Sequence, residues 1–220
     1  MVMKKTFAVI GLGRFGGSIT EELVECGQEV LAIDRSEDRV NEYMHIATHA
    51  VVGNAQDENV LKTLGIRNFD TVIVAIGEDI QASILVTLML KELGVGNVWA
   101  KAHDNYHAKV LDKIGADQVI HPERDMGKRV AHRVIAKNIL DYLEISEKLS
   151  MAEVRVTDKK FTNKPLSALH LTSNYGITVA AIRRKEGKVE MATAQSEIHE
   201  GDNILILGST QSVDYFDEQS

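Results

Sequence analysis

Apolar residues in the first half of the chain fall into short unbroken runs, each followed by a stretch with helical spacing. Phe7–Ile10 is such a run, as expected for a strand covered on both faces. Gly11 to Gly17 reads as a turn. Phe15 to Glu25 reads as a helix, with Phe15, Ile19, Leu23 and Val24 on one face. Gly27 follows, where glycine commonly ends a helix.

The alternation then repeats. Strands are expected at Val30–Ile33, His49–Val52, Thr71–Ala75, Val98–Ala102 and Val119–Ile120. Helices are expected at Glu37–Tyr43, Glu58–Leu64, Ile80–Leu93 and Tyr106–Ile114, with Gly65 and Gly94 as stops. Strands alternating with helices call for a parallel sheet, and right-handed crossovers make it doubly wound. Residues 1–122 are therefore expected to form a Rossmann-type α/β domain.

After His121-Pro122-Glu123 the rhythm changes. Met126 to Leu143 reads as one long amphipathic helix, with Met126, Val130, Val134, Ile135, Ile139 and Leu143 apolar. Over residues 123–145 it reads either as a helix packed on its own domain or as a connector or dimer helix. Residues 146–220 read as a small α+β domain. Its strands are expected at Met151–Val156, Val179–Ile182, Val189–Met191 and Asn203–Leu207, with a short helix at Leu166 to Leu169. Glu200-Gly201-Asp202 makes a turn before the last strand.

Composition narrows the function. The 220 residues are 44% hydrophobic and 26% charged, ordinary for a folded protein. A net charge of -7 argues against nucleic acid as the partner. Cys26 is the lone cysteine, which excludes an intramolecular disulfide and a cysteine zinc cluster; it reads as a small residue packed near the core. Met1 to Lys5 runs straight into a core strand, so no signal peptide is expected. The longest apolar stretch, Ile80 to Leu90, is shorter than the about 20 residues a bilayer requires. A cytoplasmic protein is expected, and any membrane span must come from a partner.

The strongest motif is Gly11-Leu12-Gly13-Arg14-Phe15-Gly16. It has a strand before it, a helix after it, and Asp34 at the end of the second strand. Gly11 permits a tight turn, Gly13 lets the backbone approach a phosphate, and Gly16 lets helix and strand pack closely. The helix start offers free N–H groups to phosphate oxygens, and Asp34 can accept from ribose hydroxyls.

Neighbouring positions extend the candidate site. Arg35 follows Asp34; an arginine there can accommodate a ribose 2′-phosphate, which a retained Asp34 would repel. Asn54-Ala55, Ile76-Gly77 and Lys101 end the third, fourth and fifth strands, where ligands of such sheets sit. Arg14 sits within the loop and points away from its own helix, toward a phosphate in its own site or a neighbour's. The eight histidines are scattered; His103 and His107 straddle a strand-to-helix junction and do not read as a metal pair. No nucleophile–base constellation is visible.

These residues together resemble the RCK (KTN) family, the regulatory subunits of Ktr and Trk potassium-uptake systems. The likeness is strongest to Ktr subunits of Gram-positive bacteria. It rests on Phe7 through Gly17, on Val72-Ile-Val-Ala-Ile-Gly77 with Ile80-Gln-Ala-Ser83, and on Lys113-Ile-Gly-Ala-Asp117 with His121-Pro-Glu123. The resemblance implies a homo-octameric ring on the inner face of a dimeric potassium-transporting membrane protein. It implies a regulator rather than an enzyme, with ATP and ADP favouring different ring shapes and NAD(H) as an alternative ligand.

Carried onto this chain, the resemblance puts Gly11, Gly13, Arg14 and Gly16 at the phosphates, with Arg14 meeting the γ-phosphate of the neighbouring subunit. Asp34 would hold the ribose, with Asn54 and Ala55 beside the adenosine. Glu123 would contribute to a divalent or sodium cation site between subunits. The second domain of the family can bind cyclic di-AMP at a dimer interface, and Leu166 to Arg184 is the matching stretch. This chain departs there from many relatives, with Thr178 at a position often asparagine and no proline in Ala192 to Ala194. A Rossmann fingerprint also fits an NAD(H)-dependent oxidoreductase, because fold does not fix function.

Overall fold

The computed structural model describes residues 4–146 and 148–220. Residues 1–3, part of the run expected to lead into the first strand, lie outside them. The chain divides into two compact units, residues 1–122 and 123–220.

The first unit runs β1 (Thr6–Ile10), α1 (Arg14–Glu25), β2 (Glu29–Asp34), α2 (Glu37–Tyr43), β3 (His49–Val52) and α3 (Glu58–Thr63). It continues with a 3-10 turn (Ile66–Asn68), β4 (Thr71–Val74), α4 (Ile80–Glu92), β5 (Val98–Lys101), α5 (Asn105–Lys113) and β6 (Gln118–Ile120). The strands form one sheet in the order β3-β2-β1-β4-β5-β6, with every neighbouring pair parallel. The strand order reverses between β1 and β4, so a crevice opens at their carboxyl ends.

Alternation along the strands decides which helix packs where. Val9, Val30, Ala32 and Ile73 face one side, with Phe15, Ile19 and Leu23 of α1 and Val40 of α2 packed there. Ala8, Ile10, Leu31, Ile33, Val72 and Val74 face the other side, against Leu61 of α3, Val86 and Leu90 of α4 and Leu111 of α5. Both faces are covered, which is why the strands read as apolar runs. Among the described residues no helix is long and apolar enough to cross a membrane.

The second unit contains α6 (Pro122–Ile135, whose first residue closes the first unit), β7 (Ile139–Ser146), β8 (Leu149–Arg155), α7 (Leu166–Leu169), α8 (Leu171–Tyr175), β9 (Ile177–Arg183), β10 (Val189–Met191), β11 (Asn203–Gly208) and α9 (Thr210–Gln219). Its antiparallel sheet has the order β10-β9-β11-β8-β7. Ile182, Ile204, Ile206, Val213 and Phe216 are fully buried in its core.

Two expectations need correction. The helix read over Met126 to Leu143 stops at Ile135, and Ile139–Ser146 is a strand of the second sheet. The backbone N–H groups of Lys137, Asn138 and Ile139 all donate to the Asp217 carboxylate, at 2.8, 2.8 and 2.9 Å, which ends the helix and starts the strand. Residues 123–145 are therefore not one helical connector. The last expected strand forms as β11, and α9 follows it, capped by Ser209 Oγ, which accepts from the Ser212 N–H at 3.1 Å. Cys26 is not packed in the core. It is exposed just past α1, with Sγ 3.7 Å from Glu22 Oε1.

Candidate nucleotide site

The loop between β1 and α1 is built on glycine geometry. Gly11 has φ +96°, and a Cβ there would lie 3.2 Å from the Ala75 carbonyl at the end of β4. A Cβ on Gly16 would lie 1.9 Å from the Gly11 carbonyl oxygen, so helix and loop meet with no room for a side chain. Gly13 is different. The nearest atom to a Cβ there is Arg39 Nη1 at 3.9 Å, which leaves the loop surface open.

Gly13 also occupies the N-cap of α1, with no side-chain cap and no acidic residue in the first turn. By contrast, α2, α3, α4 and α5 are each capped by a side chain, from Ser36, Asp57, Asp79 and Asp104. The first N–H groups of α1 thus face the crevice with the positive end of the helix dipole behind them.

Asp34 closes the opposite wall. It is buried, and its two oxygens accept from different backbone groups: Oδ2 from the Leu12 N–H at 2.7 Å, Oδ1 from the Ser36 N–H at 2.9 Å. Arg39 Nη1 lies 3.6 Å from Oδ2. A carboxylate has about four acceptor positions, so these two bonds leave capacity for ribose hydroxyls. Arg35 is exposed and turned to solvent.

Other expected residues sort by what they touch. Asn54 is exposed and turns its Oδ1 to the Gln56 N–H at 3.1 Å, while Ala55 is buried in the core. Ile76 packs against the same core. Lys101 reaches from the end of β5 toward the crevice: its Nζ would be 3.3 Å from a Cβ on Gly77 and sits 5.7 Å from the Phe15 ring centroid. Phe15, Gly77 and Lys101, expected separately, therefore converge. Arg14 is exposed at the first position of α1.

Arg39 was not expected from the sequence, although it borders both Gly13 and Asp34. It sits in the first turn of α2, where its N–H donates to the capping Ser36 Oγ at 3.5 Å. The Ser-x-x-Arg spacing was visible, but only the register of α2 against the loop gives it meaning. Tyr43, on the same helix, covers Gly17: a Cβ there would lie 1.8 Å from its Oη. Burial raises the Tyr43 hydroxyl pKa, and Glu21 and Glu42 add to the shift.

His103 and His107 meet through a backbone-to-ring contact. His107 is buried and its Nδ1 accepts from the His103 N–H at 3.1 Å. Burial pushes the His107 imidazole below its usual pKa. Among the described residues no group of three or more His, Cys, Asp or Glu side chains could hold a metal ion.

In the second unit, Glu123 is exposed in the acidic first turn of α6, beside Asp125 in sequence. A cavity of about 390 Å³ opens between α7, α8 and β9, lined by Leu166, His170, Thr172, Thr178, Ala192 and Ala194 among others. Its lining takes in the first part of the expected stretch, from Leu166 to Val179, and adds Ala192 to Ala194.

Comparison with known proteins places both units in known families. The TrkA-N domain matches residues 7–122 and the TrkA-C domain residues 151–219. Ktr system potassium uptake protein C of Bacillus subtilis is 53% identical over 217 residues, 99% of this chain and 98% of that protein. The solved RCK domain of GsuK has a TM-score of 0.68 at 15% identity, covering 98% of this chain and 48% of that one. A GsuK channel solved with NAD bound gives the same TM-score at 16% identity, over 96% of this chain and 38% of that one. At that identity the likeness speaks to the fold.

Proposed function

We propose, from the premise that this chain belongs to the TrkA-N/TrkA-C family of Ktr-type potassium-uptake proteins, that it is a nucleotide-sensing subunit regulating a potassium-transporting membrane partner. The observation that carries the reading is the uncapped start of α1 at Gly13, facing the buried Asp34 carboxylate. Phosphates take the α1 amides and Lys101, and ribose takes Asp34. ATP and ADP are the ligands, in a homo-octameric ring whose shape depends on which is bound. NAD(H) is the alternative occupant of the same crevice.

Arg14 supplies the difference between the two ligands. It is exposed at the head of α1, free to meet the γ-phosphate held by a neighbouring subunit. A ligand shifts an equilibrium only by its unequal affinity for the two states. Glu123 contributes to a divalent or sodium cation site between subunits. Cyclic di-AMP binds at a dimer interface of the second unit that includes the cavity beside α7 and β9, lined by Leu166, His170, Thr172 and Thr178.

The regulator reading is preferred to an oxidoreductase because relatives similar to this chain over nearly its full length carry the names of potassium-uptake subunits. The test is the bound ligand. Denaturing the purified protein should release ATP or ADP, and titration calorimetry should show uptake of both. Release of NAD(H), with hydride transfer to a substrate, would overturn the reading.

A further inference from the structure

The Arg39 guanidinium stands at the mouth of the nucleotide crevice, and neither the loop motif nor the ribose carboxylate accounts for it. Its side chain is half exposed, while that of Asp34 is 5% exposed. Nη1 lies 3.6 Å from Asp34 Oδ2 and 3.9 Å from where a Gly13 Cβ would stand. Both walls of the crevice are thus within reach of one group.

The 3.6 Å separation is informative. It is too long for a hydrogen bond, so the pair attracts by charge while donor and acceptor capacity stay unspent. Asp34 is already fixed by the Leu12 and Ser36 amides, so Arg39 is not needed to orient it. What remains is a donor and an acceptor side by side. A hydroxyl donates one hydrogen and accepts through two lone pairs, so it fits between them. It would give its hydrogen to Asp34 and accept from Arg39.

We propose that Arg39 is a specificity-determining residue that selects the ribose of the bound nucleotide, acting with Asp34 on its hydroxyls. The proposal rests on the nucleotide reading above and adds a residue to that site. The sugar is recognised by a charged donor and a charged acceptor at once. A sugar lacking hydroxyls gains from neither.

The experiment compares ATP with 2′,3′-dideoxy-ATP by titration calorimetry on the full-length protein, with Arg39→Ala, Arg39→Gln and Arg39→Lys. Wild type is expected to prefer ATP. Arg39→Ala should lose about ten-fold or more in ATP affinity and change little toward the dideoxy compound. Arg39→Lys should recover part of the preference, since it keeps a charged donor. Equal losses for both nucleotides would overturn the proposal and leave only a general charge effect. A wild type that binds no ATP would overturn the nucleotide reading itself. Melting of the ligand-free variants reports folding independently of either outcome.

Discussion

The backbone N–H of Leu12, inside the glycine loop, donates to Oδ2 of Asp34 at 2.7 Å. The carboxylate expected to grip the sugar is therefore also a brace for the loop proposed to cup the phosphates. Sequence spacing gives the first role but not the second. Asp34→Ala would leave the Leu12 and Ser36 amides without their acceptor. A buried donor left unpaired costs about 1–3 kcal/mol. The variant should lose stability without ligand as well as nucleotide affinity, read by urea denaturation and calorimetry. Asp34→Asn, which keeps one oxygen, should lose less stability. Unchanged ligand-free stability in Asp34→Ala would remove the bracing role.

Gly13 and Gly16 should separate binding from folding. A Gly16 Cβ would stand 1.9 Å from the Gly11 carbonyl oxygen and 2.9 Å from the Ala75 Cβ, so the loop must shift. Gly16→Ala should cost about 3 kcal/mol or more. Gly13 has φ -73° and ψ -174°, which alanine adopts freely, and its surroundings are open. Gly13→Ala should keep its stability within about 1 kcal/mol. The new methyl group would occupy the approach to the helix amides, so phosphate affinity should fall while the melting curve stays. Thermal melts with and without ATP would check both variants in one experiment.

Arg14 is exposed at the first residue of α1 and is proposed to read the γ-phosphate. A hydrogen bond to a charged group contributes about 1.5–3 kcal/mol. Several such contacts around a ring reach the about 5.5 kcal/mol that takes an equilibrium from 1:99 to 99:1. Arg14→Ala should therefore bind ATP and ADP almost alike and lose ATP-dependent activation in a reconstituted potassium-flux assay. Activation by ATP equal to wild type would exclude Arg14 as the discriminating group.

The second unit carries a proton-linked contribution at Asp202. Burial raises its carboxyl pKa, but the His199 amide, the Arg184 guanidinium and the Lys185 amide together outweigh that, and the pKa is lowered. Arg184 Nη1 lies 2.6 Å from Oδ2, and the same guanidinium also pairs with Glu190. A depressed folded pKa stabilises the protein above the unfolded value of about 3.9. That contribution is lost as pH falls through the folded value. Asp202→Asn should lower stability at neutral pH and flatten the acid end of the profile. Urea midpoints followed by circular dichroism between about pH 7 and pH 2.5 would show both.

How much of this was legible depended on the range of the forces involved. The parallel sheet could be read because both faces of β1, β2 and β4 are covered, which leaves apolar runs such as Phe7–Ile10. The glycine loop could be read because its demands are local: a positive φ at Gly11 and a contact at Gly16 with a residue five positions away. Arg39 could not, since its meaning depends on how α2 lies against the loop. The end of α6 is a sharper case. Nothing between Met126 and Leu143 breaks the helical apolar pattern; the chain turns because Asp217, nearly eighty residues on, takes the three amides at 137–139. The helix α9 was a miss of another kind, because the Ser209 cap and the Val213–Phe216 spacing were local and available.

Asp217 therefore decides between two structures that the same segment could adopt. With the carboxylate in place, the Lys137, Asn138 and Ile139 amides have a buried acceptor, and Ile139 pairs with Val154 in the sheet. Without it, those amides are unpaired unless α6 continues and donates them to carbonyls one turn back, as the apolar pattern through Leu143 permits. Asp217→Ala should cost the second unit about 2–4 kcal/mol, less than the sum of three separate losses because the contacts share one group. Native-state hydrogen exchange should show faster exchange at 137–139 and along β7, with β1 and β4 unaffected. Asp217→Asn, which keeps one acceptor oxygen, should fall between the two. Protection at 137–139 equal to wild type in Asp217→Ala would mean that the helix stops for another reason.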